Sequence, residues 1–272
     1  EAMRCIATHS APVDYIRTNG FVEFEPGEYI SGLLDLIRAV SSGYNGEKIS
    51  ITLTGQAESL LVLDGSGEPL MNAISWMDER STEECAALEQ AFSRETCYAR
   101  TGQPAALPTW PATKILWLRA HRPDVFAAAA RYVLLKDYVA YRLTGTLLAD
   151  CSIATFTYYF DIYERRYWPE MLAFLGIQES QLPPLAEPCS VIGTLLPDVA
   201  SRLGLSAETT VNNGTLDHFC GMIGTGNIHE GLLSLSTGTV LGLSTLAASP
   251  VRRDTGIPMH YGFQPESYIM LS

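Results

Sequence analysis

The segment "VNNGTLDHFCGMIGTG", residues 211–226, carries one acid, Asp217, in an otherwise nearly uncharged, Gly-rich run between two Gly-Thr pairs. A carboxylate in such a setting suits attack by a hydroxyl on a phosphate. The acid takes the hydroxyl proton, while backbone N–H groups and Thr hydroxyls hold phosphoryl oxygens. Asp217 fits the first role, and the later turn Thr237-Gly238-Thr239 fits the second. The same residues also read as a turn Asp followed by a hairpin rich in Ser and Thr, and spacing alone favours that plainer reading. "GTGNIHEG" has a partial likeness to a dinucleotide loop, but it lacks the GxGxxG spacing and the acid that should end a second strand.

Upstream, "TGQAES" ends a strand with Gln56 and Glu58, and "SWMDERS" puts Trp76, Asp78 and Arg80 at alternating positions after another. Polar groups at strand ends beside an aromatic ring suit a polyhydroxylated ligand, because each hydroxyl needs a partner and a ring face can cover C–H groups. Asp78 and Arg80 read equally well as a local ion pair at a helix start. Thr109 and Trp110, in "LPTWPATK", form a third polar and aromatic pair, whereas Trp117, at helical spacing in "KILWLRA", reads as core.

The elements that must position these residues alternate between helix and strand. Pro26 opens a helix whose apolar residues Ile30, Leu33, Leu34, Ile37 and Val40 recur at helical spacing until Ser-Ser-Gly ends it. "KISITLTG" is a β-branched strand stopping at Gly55, and "SLLVLDGSGEPL" is a strand with an Asp-Gly turn returning toward "AISW". Helices are expected from about Glu79 to Ala91, over "ATKILWLRAHRP", and over "VFAAAARYVLLKDYVAYRLTG" with its stop at Gly145. Two short helices, "RRYWPEMLAFLGI" and "LLPDVASRLGL", flank a Pro-rich connection, and "GLLSLSTGTVLGLSTL" and "SYIMLS" return to strand. The opening "EAMRCIATHSAP" reads as the end of a hairpin, so both ends of the chain read as truncated.

Composition narrows the classes of function. With 272 residues, 47% hydrophobic and 18% charged, the chain has ample material for a packed core. A net charge of −12 argues against binding a phosphate backbone, which needs an excess of Lys and Arg. The six scattered cysteines make neither a CxxC zinc pattern nor a disulfide framework and fit free thiols in a reducing cytoplasm. No apolar run of about 18 residues and no basic-then-apolar leader is visible, so neither a membrane nor a nucleic acid is expected as a partner.

In order along the chain, "GEPLMNAISWMDERS", the block from "TKILWLRAHRPDVF" to "YRLTGTLLADCSIATFTYYFD", "GTLDHFCGMIGTG" and "SLSTGT" resemble the motifs of the FGGY family of carbohydrate kinases, most closely its xylulokinase-like and glycerol-kinase-like members. Each is weak alone; the ordered set over most of the chain is specific. The resemblance implies an α/β protein of the actin-like ATPase (ribonuclease-H-like) fold, a two-domain sugar kinase. Residues 1–228 would be the sugar-binding domain lacking its first hairpin, and 229–272 the beginning of the ATP-binding domain. It implies Asp217 as the catalytic base and a sugar contact, with Gln56, Glu58 and Trp110 as further substrate residues. Thr237, Gly238 and Thr239 would contact the phosphates of ATP, with Mg²⁺ accompanying the nucleotide and no metal ligand assigned in this chain. The implied activity is ATP-dependent phosphorylation of a small sugar or polyol, a ketopentose such as xylulose being favoured, in the cytoplasm. A homodimer is left open, and a chain cut at both ends is expected to be inactive alone. The alternative is a non-catalytic sugar-binding or regulatory protein on the same fold. It draws on a departure: where the glycerol-kinase pattern has Arg-Glu and the xylulokinase pattern Met-His, this chain has Ala57-Glu58.

Overall fold

The computed structural model of the chain describes residues 4–237, 241–247 and 249–272. Its centre is a three-stranded sheet in which the strand Ser50–Gly55 runs parallel to Thr210–Leu216, itself antiparallel to Val191–Thr194. The helix Leu135–Thr144 lies against this sheet with Leu135, Tyr138, Val139 and Leu143 buried, and Gly145 ends it in the left-handed conformation (φ 74°). The helix Pro26–Val40 starts as its sequence signals require: Pro26 occupies the first turn, and the Glu25 carboxylate accepts the N–H groups of Gly27 and Glu28. It buries Ile30 and Leu34 and packs on the helix Pro197–Leu203.

A second sheet has the order Ile16–Thr18, Phe21–Phe24, Ala73–Ile74, Leu60–Leu63, Arg131–Leu134. Three corrections to the sequence reading arise from local detail. Residues 4–15 form no strand; the first hairpin instead turns at Asn19-Gly20, both at positive φ (53° and 85°), the conformation an Asn-Gly hairpin turn demands. The run from Val125 to Gly145 is not one helix. A helix Pro123–Ala128 ends before the strand Arg131–Leu134, whose Tyr132, Val133 and Leu134 are buried in antiparallel register with Leu60–Leu63. Four residues, three of them buried, are too few for either period to declare itself. The third correction concerns residues 210–224, where a long strand passes directly into the helix Asp217–Gly224 rather than into turns. Gly221 and Gly224 disguise that helix, and burial of Phe219 and Met222 holds it.

The chain closes with an antiparallel sheet ordered Ser234–Thr237, Leu241–Ala247, Tyr268–Leu271, Met259–Tyr261. Its hydrogen bonding is separate from the other sheets, but its apolar residues are not. Leu246, Phe263 and Ile269 pack with Ala57, Leu216, Phe219 and Met222 in one cluster. Among the described residues no helix is long and apolar enough to cross a membrane.

Candidate active site

The parallel pairing of Ser50–Gly55 with Thr210–Leu216 brings Leu216 opposite Gly55. Both strands therefore end side by side, so that Gln56 and Asp217, the residues that follow them, emerge at one edge. Carboxyl ends of parallel strands are where open α/β sheets bind ligands. A cavity of about 630 Å³ opens there, lined by Gln56, Glu58, Trp76, Thr109, Asp217 and His218 among others. Asp217 is exposed at the first position of its helix, and one of its oxygens accepts the backbone N–H of His218 at 2.7 Å. Asp217 itself is among the residues lining the cavity.

The strand that delivers Asp217 is pinned from below. Lys136 is buried, donates to the carbonyl of Asn213, and pairs with the buried Asp150 at 2.8 Å. Asp150 in turn accepts the N–H and hydroxyl of Ser152 (2.8 and 2.9 Å), and the Thr215 hydroxyl donates to Ser152 Oγ at 2.8 Å. Burial pushes the carboxyl of the neighbouring Asp137 up to about 7, the Lys136 charge opposing. Between Asn212 and Thr215 the register shifts, and Gly214 turns left-handed (φ 57°) with its α-carbon hard against the backbone of Leu53.

Glu58 occupies a strained position. Its φ is +70°, and the Ser59 N–H donates to the Ala57 carbonyl at 2.9 Å, closing a γ-turn about Glu58. Burial raises its carboxyl above the ordinary range, opposed by the Lys114 ammonium and the Thr109 hydroxyl. The turn is tied to the next one along the cavity wall, since the Trp76 N–H donates to Ser59 Oγ at 3.0 Å.

The remaining candidates divide. Trp76 lines the cavity, but Asp78 and Arg80 do not: Arg80 makes a two-pronged pair with the buried Asp78 (2.7 and 2.8 Å) and reaches Glu23 at 2.7 Å. Its guanidinium sits over Phe21 and Trp117, 4.0 and 4.8 Å from the ring centroids, so the local-pair reading of these two residues holds and Trp117 is packing. Trp110 is buried (4% exposed), its indole N–H donates to the Ala105 carbonyl, and its ring is stacked on Tyr158. It is not among the residues lining the cavity; it stands behind Phe156, which is, with ring centroids 6.0 Å apart. Thr237 ends an exposed strand, paired with Leu241, while Gly238 and Thr239 lie outside the described residues. Phe156 and His218 are lining residues that the sequence reading passed over. For His218, adjacency to Asp217 was the available signal; for Phe156 there was none, because one aromatic among the four of "FTYYF" reads as core.

Residues 3–224 match the N-terminal domain of the FGGY family of carbohydrate kinases. The chain belongs to this family. Curated FGGY relatives include the xylulose kinase of Klebsiella pneumoniae, 35% identical over 187 residues, covering 69% of this chain and 38% of that protein. The xylulose kinase of Bacillus subtilis is 30% identical over 223 residues, covering 81% of this chain and 44% of that protein. Among solved structures, the ligand-bound xylulose kinase of Lactobacillus acidophilus superposes with a TM-score of 0.91 at 25% identity, over 98% of this chain and 54% of that one. Plasmodium falciparum glycerol kinase with ADP gives 0.84 at 21% identity, over 96% and 55%, a likeness of fold. The chain thus has the actin-like sugar-kinase fold and spans about half the length of the relatives it matches.

Proposed function

We propose that this chain supplies the sugar-binding side of an ATP-dependent kinase that phosphorylates a hydroxyl of a small sugar or polyol, with a ketopentose such as xylulose favoured. The observation that carries the reading is the meeting of Asp217 with Gln56 and Glu58 at one cavity, at the ends of two parallel strands that are far apart in sequence. Similarity to several xylulose kinases supports the choice of sugar. Residues 1–228 are assigned to the sugar-binding domain and 229–272 to the beginning of the nucleotide-binding one, which the end of the family match at 224 supports.

In this reading Glu58 and Gln56 pair with neighbouring hydroxyls of the sugar, while Trp110 acts through the Phe156 wall. Asp217 removes the proton from the reacting hydroxyl as its oxygen bonds to the γ-phosphorus of ATP and the bridge to ADP breaks. Thr237, Gly238 and Thr239 are the proposed phosphate contacts. Among the described residues no three His, Cys, Asp or Glu side chains gather as a metal cage. In this reading Mg²⁺ would accompany the phosphates of ATP, and no step is assigned to it. The test is xylulose-dependent ADP release by the complete protein carrying this chain, screened beside other ketopentoses, ketohexoses and polyols. Sugar-stimulated release fits the reading; sugar binding with no release by any of them assigns the fold a non-catalytic role.

A further inference from the structure

Lys114 belongs to the helix Pro111–His121 and is wholly buried, and among the described residues it forms no salt bridge. It donates instead to two backbone carbonyls, that of Glu58 at 2.8 Å and that of Ser75 at 2.9 Å. These carbonyls sit at the ends of neighbouring strands, Ser75 just after Ala73–Ile74 and Glu58 just before Leu60–Leu63, where the ladder leaves acceptors to be satisfied from elsewhere. The two turns they belong to present Glu58 on one side and Trp76 and Met77 on the other to the same cavity. Neutral donors could satisfy two carbonyls without the cost of burying a charge. Lys114 does something more: it donates to the carbonyl of a non-glycine residue held at positive φ, and its charge favours the ionised form of that residue's carboxyl. We propose that Lys114 is a positioning residue of the sugar site, clamping the strained Glu58 turn to the Trp76 turn so that the carboxyl is presented to the cavity.

The proposal rests on the sugar-site reading for its purpose but not for its geometry, and the test separates the two. The ionisable groups around Lys114 are Glu58, Asp78 and Arg80, with Glu79, Asp217 and His218 across the cavity. In the 272-residue chain with ¹³C-labelled glutamate, the Glu58 carboxyl is titrated by NMR in the wild type and in Lys114→Met, which keeps the apolar stem and removes the charge and its donors. The midpoint is expected to rise by at least about one pH unit, a tenfold change in proton affinity, because the lost cation favoured the ionised form. An unmoved midpoint in a folded variant overturns the proposal. Glu58→Gln reads the same coupling from the other side and leaves the core intact. The Lys114 ¹⁵Nζ resonance should shift and its ammonium should lose its proton at lower pH; an unchanged resonance overturns the proposal even where Lys114→Met fails to fold. Calorimetry with xylulose then asks for the consequence, at least about tenfold weaker binding by Lys114→Met at neutral pH. Equal affinity overturns the role in the sugar site. Wild-type chain that binds no xylulose counts against the sugar-site reading, while the Glu58 titration still decides what Lys114 does.

Discussion

Asp217 and Glu58 are both carboxylates on one cavity, but their surroundings separate their work. Asp217 is exposed at a helix start, whereas Glu58 is partly buried, strained and held through its carbonyl by Lys114. Asp217→Asn in the complete protein is expected to lower turnover by about 10²–10⁴-fold, the scale of a lost general base, with sugar affinity little changed. Steady-state rates beside calorimetric binding check it, and near-normal turnover would remove the base assignment. Glu58→Ala is expected to raise the sugar KM at least about tenfold and leave the ATP KM nearly unchanged, because a charged acceptor bound to hydroxyls loses more than about 1 kcal/mol when the pairing goes. Varying both substrates distinguishes this from a loss confined to ATP. The acid at 217 was legible in the sequence because it stood alone among Gly and Thr. The strain at Glu58 was not, since Ala-Glu-Ser carries no signal for a γ-turn.

At the scale of elements, the strand Thr210–Leu216 and the helix Asp217–Gly224 deliver Asp217, the proposed base, and two glycines show how differently their local rules operate. A β-carbon on Gly214, at φ 57°, would fall 1.7 Å from the Leu53 carbonyl oxygen, where the register shifts. Gly214→Ala is therefore expected to cost at least about 2 kcal/mol and to displace Asp217, since backbone clash adds to left-handed strain. Gly221 stands in the helix with nothing within 4 Å of such a carbon. Gly221→Ala should stabilise by about 0.5–1 kcal/mol through backbone entropy alone. Urea denaturation of the two variants checks the opposite signs; a Gly214→Ala chain as stable as wild type would mean that this bulge is not what fixes the strand. Amphipathic helices and β-branched strands were legible here, as Pro26–Val40 and Ser50–Gly55 show. Elements whose composition contradicts their state, such as Arg131–Leu134 after an Ala run, were not, because only the strand Leu60–Leu63 makes them strands.

Across the whole molecule, His260 joins the last sheet to the rest. It is buried, stacked on Phe156 with ring centroids 4.3 Å apart, and its Nδ1 lies 3.3 Å from the Gln103 amide nitrogen. Burial, helped by His218, lowers its pKa to about 3. Between about pH 3 and the ordinary value near 6.5 the unfolded chain therefore binds the proton that the folded chain refuses, so this residue takes stability away as pH falls through that window. Asp137, raised to about 7, acts in the opposite sense, so the comparison has to be made against a variant that retains it. Relative to His260→Gln, the wild type is expected to lose about 2 kcal/mol more between pH 7 and pH 5. Parallel denaturation at the two pH values measures it, and an equal loss in both proteins would place His260 in contact with water. By itself the sequence determined the family, the α/β class and the residues able to do chemistry, because motif order and hydrophobic period are properties of the chain read locally. Only the tertiary structure decided which of those residues meet. Register between strands some 160 positions apart put Gly55 beside Leu216, and burial turned Asp78 and Arg80 into a structural pair, drew Trp110 behind Phe156, and set Lys114 beneath Glu58. Pairing and burial depend on what the rest of the chain brings alongside, and no local stretch of sequence contains that.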